Sequence, residues 1–544
     1  MKEMSNTSTR VLFYSLLTVL NLIQANYTGL LYDEANYWYA SFYMDWGHFY
    51  HPPLIDVLDQ AGYFLLGNRL GLRLFFIILS VISVYLLEKL IRPKQLLLYY
   101  LVISTIVFLQ IGGIFAVLDI PLFFLAVCFF SVVKLYMIRS TLGYSILLGV
   151  ISSLMLYAKY HGIIVIVSSF LFLWPIYHNK SSFYLWPLIA LLLFLPHLYW
   201  QISHQFPTFN FHLFNRPSTS WFEFRNLDYI PGQLLLAGPI TGFFMFYGVY
   251  KRKMSNRFEK LLLVNLFAIY IFFLAISLYT HIEMNWGLLA LIPLIILGYK
   301  ALEEMPNLQG YFKKTVVVSL ILSFVLRLVL LFPGQSPIGR LDKEMAGWEQ
   351  LAHTIDSLAK GKPVVMMTRY QHAVAYAFYS ENKFVHVSYP DQPSDFYLMG
   401  TEKQVLNKAV LLCSKKPFQG ADSVKTIKGK WYYKDIPKFK SLSFVKVEAV
   451  KPNQINKSLE YRLLLEKNES PDSLNGELSV KYYNNEAVLA LQNLGGLEYL
   501  GLRTVEVPRR VAETQNVRCQ FFVKAGDLMP MPCSLVYDLS FESN

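Results

Sequence analysis

An α-helical polytopic membrane protein with a soluble C-terminal α/β domain is the fold class that this sequence predicts, on three observations. Hydrophobic residues make up 54% of the 544 residues, above the roughly 45–50% apolar usage of soluble domains. From Val11 to Phe332, apolar runs of about 17–22 residues recur, each long enough to cross roughly 30 Å of hydrocarbon at 1.5 Å per residue. After Pro333 the runs stop and ordinary soluble composition begins.

The runs predict about eleven transmembrane helices, over 11–30, 70–90, 96–117, 120–138, 142–158, 162–178, 183–200, 231–250, 260–280, 284–299 and 314–333. No small-residue cleavage site precedes Tyr32-Asp33-Glu34, so the first run reads as a retained helix. Residues 1–333 form the predicted transmembrane domain and 334–544 the soluble one. In the latter, Glu344–Ala359 has the period of an amphipathic helix, Pro363–Met367 reads as a buried strand, and 477–540 reads as mostly strands.

Orientation follows from the basic residues of the short loops. With the N-terminus inside, cytoplasmic segments hold sixteen of them, among them Arg92, Lys134, Lys251, Arg252, Lys253 and Arg257. The opposite loops hold four: Arg69, Lys159, Arg216 and Arg225. This bias and an odd helix count place 334–544 outside the cytoplasm. The net charge of +12 therefore lies between hydrophobic runs, not on a soluble basic stripe, and excludes nucleic acid as the partner. Four cysteines and no CxxC exclude a disulfide-rich scaffold. Cys519 and Cys533, fourteen residues apart in the strand-rich tail, predict a hairpin with a disulfide; two buried thiols are the alternative.

The outer loop 31–69 is too long for a connector and is dense in aromatics, which predicts short interfacial helices. It contains Asp33-Glu34-Ala35-Asn36-Tyr37-Trp38 and Asp45-Trp46-Gly47-His48-Phe49-Tyr50-His51-Pro52-Pro53. Asp33 could serve as a helix cap, but two adjacent carboxylates at a membrane surface need partners or a task. The same predicted face receives Asp119, Lys159, His204, Gln233, His281, Glu283 and Trp286. Each has a bland reading, as a cap, a snorkelling cation or an interfacial ring. Together they describe a polar cavity with carboxylates for proton transfer and cations for an anionic ligand. Arg73 and Arg327, inside spans, read as helix-packing residues.

These motifs, in this order, resemble those of the dolichyl-phosphate-mannose protein mannosyltransferase and aminoarabinose-transferase-like family of C-type glycosyltransferases. Asp33–Trp38 resembles DEAYYW, and Asp45–Pro53 resembles DWGYFDHPP. Leu118-Asp119-Ile120-Pro121-Leu122 is similar to PDxPL, and Ala158-Lys159-Tyr160 to AKY. The segments Trp200–Phe211, Pro231–Pro239 and Asn285-Trp286 resemble WNxxHxWxSFxF, GGQLxLxGP and NWP. Tyr50 stands where the family has an acid, and Gly287 where it has Pro.

The resemblance implies inverting transfer of a sugar from a polyprenyl-phosphate carrier to a lipid, glycan or protein acceptor. The setting it implies is the outer face of a bacterial inner membrane, with the C-terminal domain periplasmic. Asp33 and Glu34 are the catalytic candidates, with Asp33 as general base. His51 and Lys159 are the candidates for the donor phosphate. Glu34 and Asp119 would position the groups around Asp33 or hold a divalent metal, although no HExxH or similar ligand spacing is present. Two other readings fit parts of the sequence: a transporter or flippase of a lipid-linked saccharide, and a membrane-anchored binding or scaffold protein. The orientation is tested by cysteine labelling. A thiol placed within 215–220 should react with an impermeant reagent from outside, and one at Ser255 should not; the reverse pattern overturns the scheme.

Overall fold

The computed structural model describes residues 6–211, 229–278, 282–335, 339–388, 394–440, 445–453, 457–465, 477–484, 487–497, 501–512, 514, 517–524, 531–532 and 537–539. His281, Cys533 and the 215–220 segment lie outside them. The chain forms two compact units, Met1–Ala346 and Gly347–Asn544.

Among the described residues of the first unit, six helices are long and apolar enough to cross a membrane: Arg69–Ile91, Asp119–Ile138, Ser181–Ser203, Arg257–Ser277, Met284–Glu304 and Pro306–Leu331. Leu96–Thr105 with Val107–Ile114, bent by 82°, and Tyr229–Leu236 with Pro239–Lys251, bent by 99°, raise the number to eight if each pair is one span. The expected eleven exceeds this count for physical reasons. Leu142–Ala158 and Gly162–Tyr177 are only 17 and 16 residues long. The first helix, Asn6–Tyr27, begins polar and buries Asn21 and Gln24.

Exposure along the helices identifies the solvent. Ser181–Ser203 leaves Leu188, Leu191, Leu192 and Leu195 uncovered, and Pro306–Leu331 leaves Val317, Ile321, Phe324 and Val325 uncovered. Such faces are liabilities in water and natural in hydrocarbon, where the helix satisfies its own backbone. Met284–Glu304 is the central helix, with Leu291, Ile292 and Leu294–Leu297 all buried.

The two bent pairs meet at their breaks. Gly238, at φ +88°, lies so close to the Thr105 carbonyl that a Cβ there would stand 2.4 Å from the oxygen, a conformation and an approach open only to glycine. The Thr241 hydroxyl bonds that of Thr105 at 2.7 Å. In the loop 31–69, Leu54–Leu66 ends at Gly67 in the left-handed region, and the Asn68 side chain accepts from the Gly71 amide to start Arg69–Ile91.

The second unit opens with the helix Trp348–Ala359 and a five-stranded sheet. Its order is Val385–Val387, Val364–Met367, Val410–Ser414, Gly429–Ile436, Asp422–Thr426. The first three strands are parallel, with Tyr370–Tyr379 as crossover helix. Two antiparallel sheets follow, one built on Ser458–Leu465 and the other on Glu477–Asn484 and Val517–Lys524. The helix expected over 344–359 is divided, because Gly347 at φ +76° separates Gly339–Met345 from Trp348–Ala359.

The disulfide expected at Cys519 is corrected. Cys519 faces Tyr482 on one neighbouring strand and Tyr537 on the other, and it is a buried free thiol. Burial pushes this thiol up to about 12, so it is inert in the folded domain. Alkylation of the denatured chain without reductant should therefore modify Cys519 fully in a peptide map. An unmodified Cys519 peptide that appears only after reduction would refute the assignment.

Candidate active site

The loop 31–69 is organised around a buried ion pair. The guanidinium of Arg73 has five donors, and all are used. Nε and one Nη2 hydrogen go to Glu34 at 2.7 and 2.6 Å. Nη1 donates to the Ala25 and Thr28 carbonyls at 2.8 and 2.9 Å, and Nη2 to that of Gly29 at 2.8 Å. Glu34 completes its own set by accepting from the amides of Ala116 at 2.8 Å and Leu31 at 2.9 Å. The Leu31 bond is the carboxylate half of a capping box for the helix Tyr32–Ala40. Both side chains are fully buried, and the Phe115 ring lies 5.2 Å from the guanidinium.

Glu34 thus has no lone pair left for a substrate proton or a metal, in contrast to the catalytic part expected of it. Asp33, its neighbour, is exposed in the first turn of the same helix. The start of this helix is held a second time. The Tyr32 amide donates to Glu344 at 2.9 Å and the Tyr32 hydroxyl to the Lys343 carbonyl at 2.9 Å.

Three residues beyond Ala116, Asp119 begins the helix Asp119–Ile138. One of its oxygens accepts from Lys159 Nζ at 2.8 Å and the other from Asn285 at 2.8 Å. Asp119 is nearly buried, while the Lys159 side chain keeps 14% exposure. The ammonium has three donors, of which this bond uses one. The structure therefore joins three sequence motifs that lie 40 and 166 residues apart.

The other expected residues are more scattered. Gln233 donates to the Met284 carbonyl at 2.9 Å, and Trp286 packs on His161 with centroids 5.1 Å apart. His204 is exposed and stacked on Trp200 at 4.5 Å, and Glu283 is exposed.

His51 does not line an open cavity. Its ring is fully buried, 4.7 Å from Tyr37 and 4.9 Å from His48. His51 Nε2 lies 3.3 Å from Asp56 Oδ1, and His48 Nε2 lies 3.0 Å from Asp56 Oδ2. Burial alone would raise Asp56, but the two histidines hold it below the usual carboxylate range. Asp59, one turn on, is pushed well above that range by burial and by the charges of Asp56 and Glu34. The loop itself is pinned to the helix Ser181–Ser203. His197 Nδ1 donates to the Trp46 carbonyl at 2.6 Å, and Trp200 Nε1 to Asp45 at 2.8 Å. A Cβ on Gly47 would stand 2.4 Å from the Trp200 ring.

Asp56, Asp59 and His197 were not singled out from the sequence. The first two sit among apolar residues on a helix, and the available signal was the spacing His51, Asp56, Asp59. Loss of either partner of the central pair leaves a buried charge uncompensated and costs about 3–5 kcal/mol. Glu34→Gln and Arg73→Met should therefore lower the melting temperature of the detergent-solubilised protein sharply. Arg73→Lys should fail to restore it, since an ammonium cannot reproduce the five-donor fork. An unchanged melting transition in these variants would remove the pair from its organising place.

No protein-family model and no curated protein matches the sequence. Among solved structures, the chain is similar to ArnT from Cupriavidus metallidurans bound to undecaprenyl phosphate. The TM-score is 0.60 at 15% identity, with 79% of this chain and 98% of that one covered. It is equally similar to the same protein in the apo state, with TM-score 0.60, 14% identity and the same coverage. The fold expected from the ordered motifs is thus the one observed: this chain has the fold of ArnT.

Proposed function

We propose that this chain is an inverting membrane glycosyltransferase that moves a sugar from a polyprenyl-phosphate carrier to a lipid, glycan or protein acceptor. In this reading it acts at the outer face of a bacterial inner membrane, with its C-terminal unit in the periplasm. One observation carries the proposal: the segment 115–118 links the buried Glu34–Arg73 pair to the Asp119–Lys159 pair. A water-facing carboxylate and a partly exposed ammonium thereby belong to one connected framework. An ArnT structure of the same fold was solved bound to undecaprenyl phosphate, which supports a lipid phosphate as the donor's leaving group.

The chemistry follows from these positions. The acceptor oxygen attacks the anomeric carbon while Asp33 takes its proton. The bond from that carbon to the phosphate oxygen breaks, and the electron pair stays on the polyprenyl phosphate. Lys159 neutralises the charge that develops there, held in place by Asp119 and Asn285. Glu34 acts as a positioning residue, because its fixed geometry determines where Asp33 stands. The phosphate role expected of His51 is not carried forward, since its buried ring is engaged with Asp56.

The transporter reading gains one observation, the two bent helix pairs, which transporters use around midplane sites. Turnover in detergent, where no second leaflet exists, separates the two. Purified protein should release polyprenyl phosphate from a lipid-linked sugar in the presence of acceptor. Asp33→Asn should lower the rate by about 10²–10⁴ without altering the melting temperature. Lys159→Ala should raise the apparent donor KM. Wild-type turnover in Asp33→Asn overturns the base assignment, and an unchanged donor KM overturns that of Lys159.

A further inference from the structure

We infer that His48, His51 and Asp56 form a binding site for a divalent first-row transition ion of zinc class, beside the helix that carries Asp33. The three side chains offer ligand atoms that all lie within 4.8 Å of one another, and all three residues are buried. The two nitrogen-to-oxygen separations are 3.0 and 3.3 Å. In a tetrahedral site with bonds of about 2.0–2.1 Å to nitrogen and oxygen, neighbouring ligand atoms stand about 3.3 Å apart. Two imidazoles and one carboxylate are a borderline donor set, suited to zinc and its neighbours and unlike the all-oxygen sets of calcium or magnesium.

A hydrogen-bonded cluster of neutral imidazoles would use the same contacts, His48 Nε2 to Asp56 Oδ2 at 3.0 Å and His51 Nε2 to Asp56 Oδ1 at 3.3 Å, but it leaves Asp59 unaccounted for. The two imidazoles are stacked within 15° of parallel, so doubly protonated rings would place two cations face to face without solvent. A metal ion uses both Nε2 lone pairs and a carboxylate oxygen at once. Asp59, fully buried one turn beyond Asp56, has no hydrogen-bond partner on either oxygen. Asp59 thus places a second buried carboxyl group beside the cluster. The backbone prepares the arrangement: the His48 amide donates to the His51 carbonyl at 3.1 Å, and the His48 carbonyl accepts from Thr208 at 3.0 Å.

The ion's work is to tie the loop 44–53 to the helix Leu54–Leu66, and no step of sugar transfer passes through it. The test uses the full chain, purified in detergent and exchanged into metal-free buffer. Elemental analysis should find about one equivalent of zinc or another first-row ion, because a preformed buried site retains its metal. His48→Ala and Asp56→Asn should each bring this below one-tenth of the wild-type content. A chelator should lower the melting temperature of the wild type and leave that of Asp56→Asn unmoved. X-ray absorption at the metal edge of the wild type should show two imidazoles, a reading that stands even where a variant fails to fold. Three results would each overturn the inference: a wild type that neither holds metal nor is stabilised by added zinc; metal retained in both variants; or a bound metal without imidazole scattering. None of these readouts involves turnover, so the site stands or falls separately from the transferase proposal.

Discussion

Five hydrogen bonds from one guanidinium hold together the end of the membrane unit that carries the loop 31–69. Arg73 gathers the end of the first helix, the turn that follows it and the start of the Asp33 helix. Through the second lone pair of Glu34 it also reaches the segment before Asp119. Buried ion pairs are a poor source of stability when their desolvation is incompletely offset. Here every donor of the cation and all four acceptor positions of the anion are matched, so the pair acts as a geometric device. Its product is a fixed place for an exposed carboxylate.

Much of the fold was legible because hydrocarbon imposes a simple length rule, and the ordered motifs showed where polar groups would gather. Asp33, Glu34, Lys159 and Asp119 were all visible as candidates, yet their pairing was not. Nothing in a linear sequence says that Glu34 meets Arg73, 39 residues away, or that Asp119 takes both Lys159 and Asn285. Exposed and buried carboxylates look alike as letters, so the sequence did not show that Glu34 is saturated by Arg73 while Asp33 stays exposed. Asp56 and Asp59 were hidden for the opposite reason, since apolar neighbours made their helix look like ordinary interfacial packing. Cys519 was misjudged because a single hairpin was assumed, whereas its strand has neighbours on both sides.

The bent helix pairs show a second kind of information that composition conceals. By hydropathy 96–117 and 231–250 read as single spans, and the breaks depend on a contact between them. Gly238 can press against Thr105 only because it lacks a side chain, and the backbone groups released by each break lie in protein, not in lipid. Pro239 then restarts the helix with no amide to leave unsatisfied.

The saturation of Arg73 also bears on how the protein is made. A helix from Arg69 to Ile91 presented alone to the bilayer would carry an uncompensated guanidinium, at a cost of about 2.5–3.5 kcal/mol near the centre of the membrane and less toward its surface. Every hydrogen-bond acceptor of that charge belongs to residues 25–34, which leave the ribosome earlier. Biogenesis therefore favours entry of the first helix and Arg69–Ile91 as a preassembled hairpin, with the loop between them already folded back on the arginine.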